Sequence, residues 1–396
     1  FFLIFFFFFW FYENFDVEQK LRFFSRKKKK IIEVSKTKKM GMEEQLWGAC
    51  KDGKVEEVRA LLQNEQININ WQDSQYSKTP IYIACEKGHI EIVKLLLNDN
   101  RVDLNKATRS GYTLFHSACE YGHIEIVKLL LNDNRLGVDI HKPNKCEIGI
   151  NYETPFYIAC CGGHTDVVKL LLTDERVIAH VNRGDRFGQT PFFRACENGH
   201  TEIMNLLLND TRVDINKGNK EGWTAFWDAC SLGKIEIVKL LLNNQRVHIN
   251  KADKYGWTPF YSACCEERTD VVKLLLNDER VDINRADDDG QTPFFIACAI
   301  GQVEIVEYFL ACGRQIDINK KYENKKSALD IARDEEKMEV VELLESFQKN
   351  PNETRTRLRK ELGFSRKFFF FSFLFPLLCS SFFFFLLPFF HFLFSE

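Results

Sequence analysis

The sequence predicts an all-α solenoid, a stack of paired helices, on three observations. One unit recurs: its opening residue stands at Thr79, Thr113, Thr154, Thr190, Thr224, Thr258 and Thr292, with Ser327 last, at steps of 34, 41, 36, 34, 34, 34 and 35 residues. Each unit carries two apolar stripes at helical spacing, such as Phe260, Ala263 and Cys264, then Val271, Val272, Leu274, Leu275 and Leu276. A single unit of this size cannot bury both stripes, so its neighbours must cover them.

Residues 253–284 show how each unit is built. Asp253-Lys254-Tyr255-Gly256-Trp257 has turn chemistry, with Gly256 suited to a positive φ. Thr258 can cap the first amides of a helix, and Pro259 suits the first turn because its missing N–H had no partner there. A Gly-His pair follows the first helix in most units: Gly88-His89, Gly122-His123, Gly163-His164 and Gly199-His200. The Gly fits a left-handed cap, and a His recurring at one slot reads as a brace for the loop. Gly233-Lys234 and Gly301-Gln302 lack the His. Glu267-Arg268 lacks the Gly as well, which predicts a strained or differently shaped turn. The second helix ends at Asn277-Asp278-Glu279-Arg280, and Val281-Asp282-Ile283-Asn284 runs extended into the next turn.

This order of turn, first helix, Gly-His, second helix and Asp-x-Asn exit resembles the ankyrin repeat. The resemblance covers about 310 of the 396 residues. It implies an ankyrin-repeat solenoid of helix-turn-helix units joined by β-hairpin-like turns, about nine units including caps. Leu46-Trp47-Gly48-Ala49-Cys50 opens an N-terminal cap over 46–70, and Ser327 to Leu344 forms the C-terminal cap, as a finite stack requires. The chain departs from the family pattern at several points. The family's His after Thr-Pro-Leu remains only at His116, and Tyr82, Tyr157, Phe193, Trp227, Tyr261, Phe295 and Asp330 fill the slot elsewhere. Aromatic packing is expected to replace the tie that this His provides. The usual Gly after the second helix is absent, and Asn98-Asp99-Asn100-Arg101 and its copies run about one residue longer. An insertion from Gly137 to Tyr152, with Pro143 and Cys146, should bulge from the loop side.

Composition narrows the function. The formal net charge is −2 with both signs mixed, which argues against a general polyanion binder, and no nucleic-acid partner is expected. Of 13 cysteines, Cys50, Cys85, Cys119, Cys160, Cys196, Cys230, Cys264 and Cys298 share one slot. Equivalent residues of stacked helices lie about 8–10 Å apart, beyond the roughly 7 Å limit for a disulfide. They read as small buried hydrophobes kept reduced. One such residue per unit does not converge on a metal, so neither metal nor cofactor is expected. No phosphate loop, HExxH, GxSxG or kinase signature occurs, and no catalytic residue is assigned. Arg101, Arg135, Arg176, Arg212, Arg246 and Arg280 form a ladder, most with an Asp two residues earlier, and read as a solvated mixed-charge face.

The resemblance implies binding to proteins through the turn tips and the exposed side of the first helices. On that surface the candidates are Arg109, Tyr112, Arg186, Phe187, Glu221, Trp223, Tyr255, Trp257, Asp288 and Gln291. Tyr, Trp and Arg are the residue types that carry interface energy. The competing expectation is that Trp223 and Trp257 pack on neighbouring turns. A monomeric cytoplasmic scaffold or adaptor follows, with no enzymatic activity and with one or more proteins as partners.

The ends differ from the array. Residues 1–41 are Phe-rich and then Lys-rich, 350–367 form a basic amphipathic tail, and 368–396 are Phe, Leu, Ser and Pro with few other residues. The Phe-rich runs suit pyrimidine-rich noncoding sequence, with a natural start at Met40 or Met42. The alternative is a tail anchor at 368–395, long enough to span a bilayer and preceded by Arg357, Arg359, Lys360, Arg366 and Lys367. Such an anchor would make the array a membrane tether. The basic tail either docks on the last unit or is solvated.

Overall fold

The computed structural model describes residues 41–133, 135, 143–144, 152–322 and 326–364. The two Phe-rich ends, Met40, and most of the insertion lie outside the described residues, although Pro143 and Asn144 within the insertion are buried. Two compact units divide between Asn151 and Tyr152. The first holds three helix pairs: α1 (Met42–Asp52) with α2 (Val55–Leu62), α3 (Pro80–Glu86) with α4 (Ile90–Leu97), and α5 (Leu114–Glu120) with α6 (Ile124–Leu131). The second begins with α7 (Pro155–Gly162) and α8 (Thr165–Leu171), followed by the short α9 (Glu175–Ile178). It continues with α10 (Pro191–Glu197) and α11 (Thr201–Asn209), α12 (Ala225–Ser231) and α13 (Ile235–Leu242), and α14 (Pro259–Cys265) and α15 (Thr269–Leu276). The last pairs are α16 (Pro293–Ile300) with α17 (Val303–Cys312) and α18 (Ala328–Asp334) with α19 (Met338–Lys349), and α20 (Pro351–Glu361) ends the described chain. Within each unit, first helices pack on the next first helix and second helices on the next second helix.

Local chemistry sets the helix starts. The hydroxyl of Thr79, Thr154, Thr190, Thr224, Thr258 or Thr292 accepts the amide three residues on. At Thr113 and Ser327 the third residue, His116 or Asp330, also reaches back to the cap amide, closing a capping box. The core is the predicted stripe. Phe260, Tyr261, Ala263 and Cys264 are buried in α14, and Val271, Val272, Leu275 and Leu276 in α15, while Leu274 is half-buried. Full burial of each large apolar side chain contributes about 1.5–3 kcal/mol, so one pair supplies enough only when both neighbours are present. The eight slot cysteines are buried. Burial pushes the Cys50 thiol up to about 12 and raises those of Cys85, Cys119, Cys196, Cys230, Cys264 and Cys298, which keeps them protonated and unreactive.

Side chains tie each pair to the one before. Nε2 of His89, His123 and His200 lies 3.1, 3.1 and 2.9 Å from the carbonyls of Lys51, Glu86 and Cys161. Where the His is absent, Lys234 Nζ donates to Glu197 O at 2.5 Å, Arg268 Nε to Ser231 O at 2.8 Å and Gln302 Nε2 to Cys265 O at 3.4 Å. The brace therefore persists through a change of residue type. Glu267 corrects the expectation of a differently shaped turn: at φ 56° it adopts the left-handed conformation that Gly takes elsewhere, so the shape is kept and strain is accepted.

The arginine ladder is a second correction, because it is more than a solvated face. Asp99, Asp133, Asp174, Asp210 and Asp278 each clamp the Arg two residues later. Those guanidiniums hold the carboxyls below the usual range. Arg101, Arg135, Arg212, Arg246 and Arg280 then reach back to a carbonyl at the C-terminal end of the second helix one pair earlier: Leu62, Leu97, Leu172, Leu208 and Leu242. Helix ends leave four carbonyls without helical partners, and a cation there is favoured by the dipole.

The basic tail docks as α20. It packs against α17 and α19, with Leu358 fully buried. Arg355 Nε donates to Leu310 O at 3.0 Å, the carbonyl equivalent to Leu242 O, and Arg359 Nε to Ala311 O at 2.7 Å. The tail helix thus supplies the arginine staple that α18 and α19 lack. Among the described residues no helix is long and apolar enough to cross a membrane.

Candidate partner-binding surface

The turns that carry the candidate residues are closed from within. Asp185, Asn219, Asp253 and Asp287 each open a turn, and each side-chain oxygen accepts the amides two and four residues later at 2.7–3.1 Å. A Gly follows at φ 83°, 89°, 81° and 81° for Gly188, Gly222, Gly256 and Gly290. Successive tips are joined by one backbone bond each: the amides of Lys220, Lys254 and Asp288 donate to Phe187 O, Glu221 O and Tyr255 O at 2.9, 3.0 and 3.1 Å. In the second unit this lines the tip side chains up in a row on a fixed backbone.

The row contains Arg186, Phe187, Glu221, Tyr255 and Asp288. Phe187 and Tyr255 are 52% and 51% exposed, with the Tyr255 ring 6.3 Å from that of Trp257. Each lies beside a cation: Arg186 is 4.5 Å from the Phe187 ring centre, and Lys254 is 4.9 Å from that of Tyr255. Lys254 also pairs with Glu221, whose hydrogen bond raises the ammonium pKa. Charge runs from Arg186, Lys220 and Lys254 to Asp288 and Asp289 along the row.

Trp223, Trp257 and Gln291 sit behind the tips and are half-buried. Trp223 stacks on Trp227 with centres 4.8 Å apart and planes 1° from parallel, and its Nε1 donates to Asp253 Oδ2 at 3.2 Å. Trp257 lies 5.2 Å from Tyr261, and its carbonyl accepts Trp227 Nε1 at 2.9 Å. The tryptophans are thus part of the scaffold that carries the tips. Arg109 and Tyr112 belong to the first unit. The Arg109 amide donates to Tyr76 O at 3.0 Å and its guanidinium to Ser74 O at 3.2 Å. Tyr112 is half-buried, 5.4 Å from His116.

Sequence reasoning missed two features. Tyr76 is 54% exposed at the first unit's tip, hidden because its turn runs one residue longer and uses Ser77 at φ 58° instead of Gly. The aromatics in the His slot also do more than pack. Tyr157 Oη and Tyr261 Oη donate to Asp185 Oδ2 and Asp287 Oδ2 of the following turns at 3.0 and 2.9 Å. The signal was present, since each of these Tyr residues precedes a turn that opens with Asp. Among the described residues no group of His, Cys, Asp or Glu is placed to hold a metal ion.

The repeated geometry has a counterpart among known families. The family described as Ankyrin repeats (3 copies) matches residues 46–144, 135–219 and 211–287, and Ankyrin repeats (many copies) matches 265–310. The chain belongs to the ankyrin-repeat family. Ankyrin repeats are in general modules that bind other proteins. No curated protein matches this ankyrin chain.

Proposed function

We propose that this ankyrin-repeat protein is a scaffold or adaptor that binds partner proteins through its turn tips, with Phe187 and Tyr255 as the anchors. Their exposure carries the reading: two large rings stand half outside a turn backbone whose hydrogen bonds are already made by Asp185 and Asp253, leaving apolar surface open to a partner. Arg186, Glu221 and Asp288 supply polar complementarity around them, and Trp223, Trp257 and Gln291 hold the tips in place. Arg109, with Tyr76, forms the equivalent tip of the first unit, and Tyr112 sits behind it as Trp257 does in the second.

The test is affinity capture by the full chain with Phe187→Ser and Tyr255→Ser together. Removing two anchors should weaken capture about tenfold or more. A control, Tyr121→Ser, removes a ring that is 47% exposed at the far end of a first helix and should change nothing. Equal losses from both variants, or none from either, would overturn the assignment.

A further inference from the structure

A second surface lies away from the tips, where the exit segments of two successive pairs meet. A cleft of about 600 Å³ opens there, lined by Val247, His248, Asn250, Lys251, Arg280 and Arg285 among others, and no carboxylate lines it. Lys251 Nζ donates to Asn216 O at 2.8 Å and Arg285 Nη1 to Asn250 O at 3.1 Å. Neither meets a carboxylate, so both keep N–H groups and full charge for a ligand. Arg280 is held by Asp278.

The sequence explains why this cleft is cationic when its equivalents are not. Three other exit segments place acids at two positions: Asp99 and Asp103, Asp210 and Asp214, Asp278 and Asp282. Here the same positions are Asn244 and His248. The first exit segment also lacks both acids, at Asn64 and Asn68, but has Trp71 after its exit Asn; later segments keep a basic residue there, as in Lys106, Lys217, Lys251 and Arg285. One pair has therefore lost both acids while keeping its cations. Arg246, without an acidic partner, is satisfied by the carbonyls of Leu208, Asp210 and Val213.

We propose that this cleft binds a short acidic protein segment, with Lys251 and Arg285 pairing its carboxylates or phosphates and Arg280 and His248 at the rim. Guanidinium and ammonium groups suit both oxyanions. Asp214 lies on the exit segment one pair earlier, and Asp282 lies between Arg280 and Arg285 on the cleft's second segment, its amide donating to Asn250 Oδ1 at 2.8 Å. A long polyanion tracking along the exits would run into them, which favours a peptide over nucleic acid.

The test is fluorescence anisotropy of labelled peptides with the full chain at about 50 mM salt, where exposed charges are screened least. The probes are a hexaglutamate peptide, a phosphoserine peptide and a single-stranded oligonucleotide of equal charge. Saturable peptide binding should weaken about five- to tenfold in Lys251→Gln/Arg285→Gln. The same change at Lys106→Gln/Lys217→Gln should leave it within about twofold. His248→Asp/Asn244→Asp, which restores the acids of the other pairs and removes no hydrogen bond of Lys251 or Arg285, should weaken binding similarly with thermal unfolding unchanged or raised. Preference between the two peptides identifies the oxyanion. Equal loss in the control variant, no saturable binding of either peptide, no effect of restoring the acids, or tighter binding of the oligonucleotide would each overturn the proposal.

Discussion

Glu267 occupies a slot that Gly fills in most of the equivalent turns, and it carries a φ of 56°. At Gly53, Gly88 and Gly163 the slot has no room for a Cβ: one built on Gly163 would lie 2.7 Å from the His200 ring. At Glu267 the bracing residue is Gln302, a longer and more flexible side chain. Replacing Glu267 with Gly should raise stability by about 0.5–1 kcal/mol, with relief of left-handed strain partly offset by unfolded-state entropy. Gly163→Ala should lose about 2 kcal/mol or more. Urea midpoints check both. Asp228 makes a pH prediction at the same scale. Burial pushes its carboxyl up to about 6 from an ordinary 3.8. The folded state thus holds this proton more tightly than the unfolded state between those values, and stability falls as pH rises from about 4 to 6. Asp228→Asn should be neutral near pH 4 and stabilising by roughly 1–2 kcal/mol at pH 7. A variant with the same advantage at both pH values would contradict the burial argument. Neither residue's effect was fully legible in sequence. The missing Gly at Glu267 was visible, but the burial of Asp228 depends on the packing of neighbouring first helices.

The helices themselves were readable because their signals are local. Thr caps, Pro at the first turn and apolar stripes each act within one helix, and all reappear in the structure. What joins one pair to the next was harder to see, because its partners are backbone carbonyls, which leave no mark in sequence. The arginine staples show this: Arg246 and Leu208 O are 38 residues apart, and only the Arg can be read. Arg246→Ala should cost about 1–2 kcal/mol, since three carbonyls lose a charged donor in a half-buried position. The docked tail is the clearest case. Its basic, weakly amphipathic sequence left docking and solvation open, and Leu358 with Arg355 decides for docking. Leu358→Ala should cost about 2–4 kcal/mol locally. Amide exchange should then rise in α17, α19 and α20 while α10 to α13 stay protected. Unchanged protection in α17 and α19 would show that α20 contributes nothing to the last pairs.

For the whole molecule, the period of the repeat carried most of the information: it specified stacking, and stacking specified a row of tips. The division after Asn151 follows the long step between Thr113 and Thr154, so a change in period was itself legible. Which tip residues stand free was less so. Ten residues were marked as one surface, and the structure sorts them into exposed rings and charges and the half-buried tryptophans beneath. The sorting depends on Asp253 and Asp287, which draw Trp and Tyr donors inward across turns. Trp223→Ala is accordingly expected to lower the unfolding temperature, whereas Phe187→Ser and Tyr255→Ser are expected to leave it unchanged. The most direct test of the tip surface is hydroxyl-radical footprinting of the full chain with and without a captured partner. The account predicts at least about twofold protection of Phe187 and Tyr255, with Tyr121 and Met338 oxidised at the same rate in both states. Protection of Tyr121 or Met338 with Phe187 and Tyr255 unprotected would contradict it.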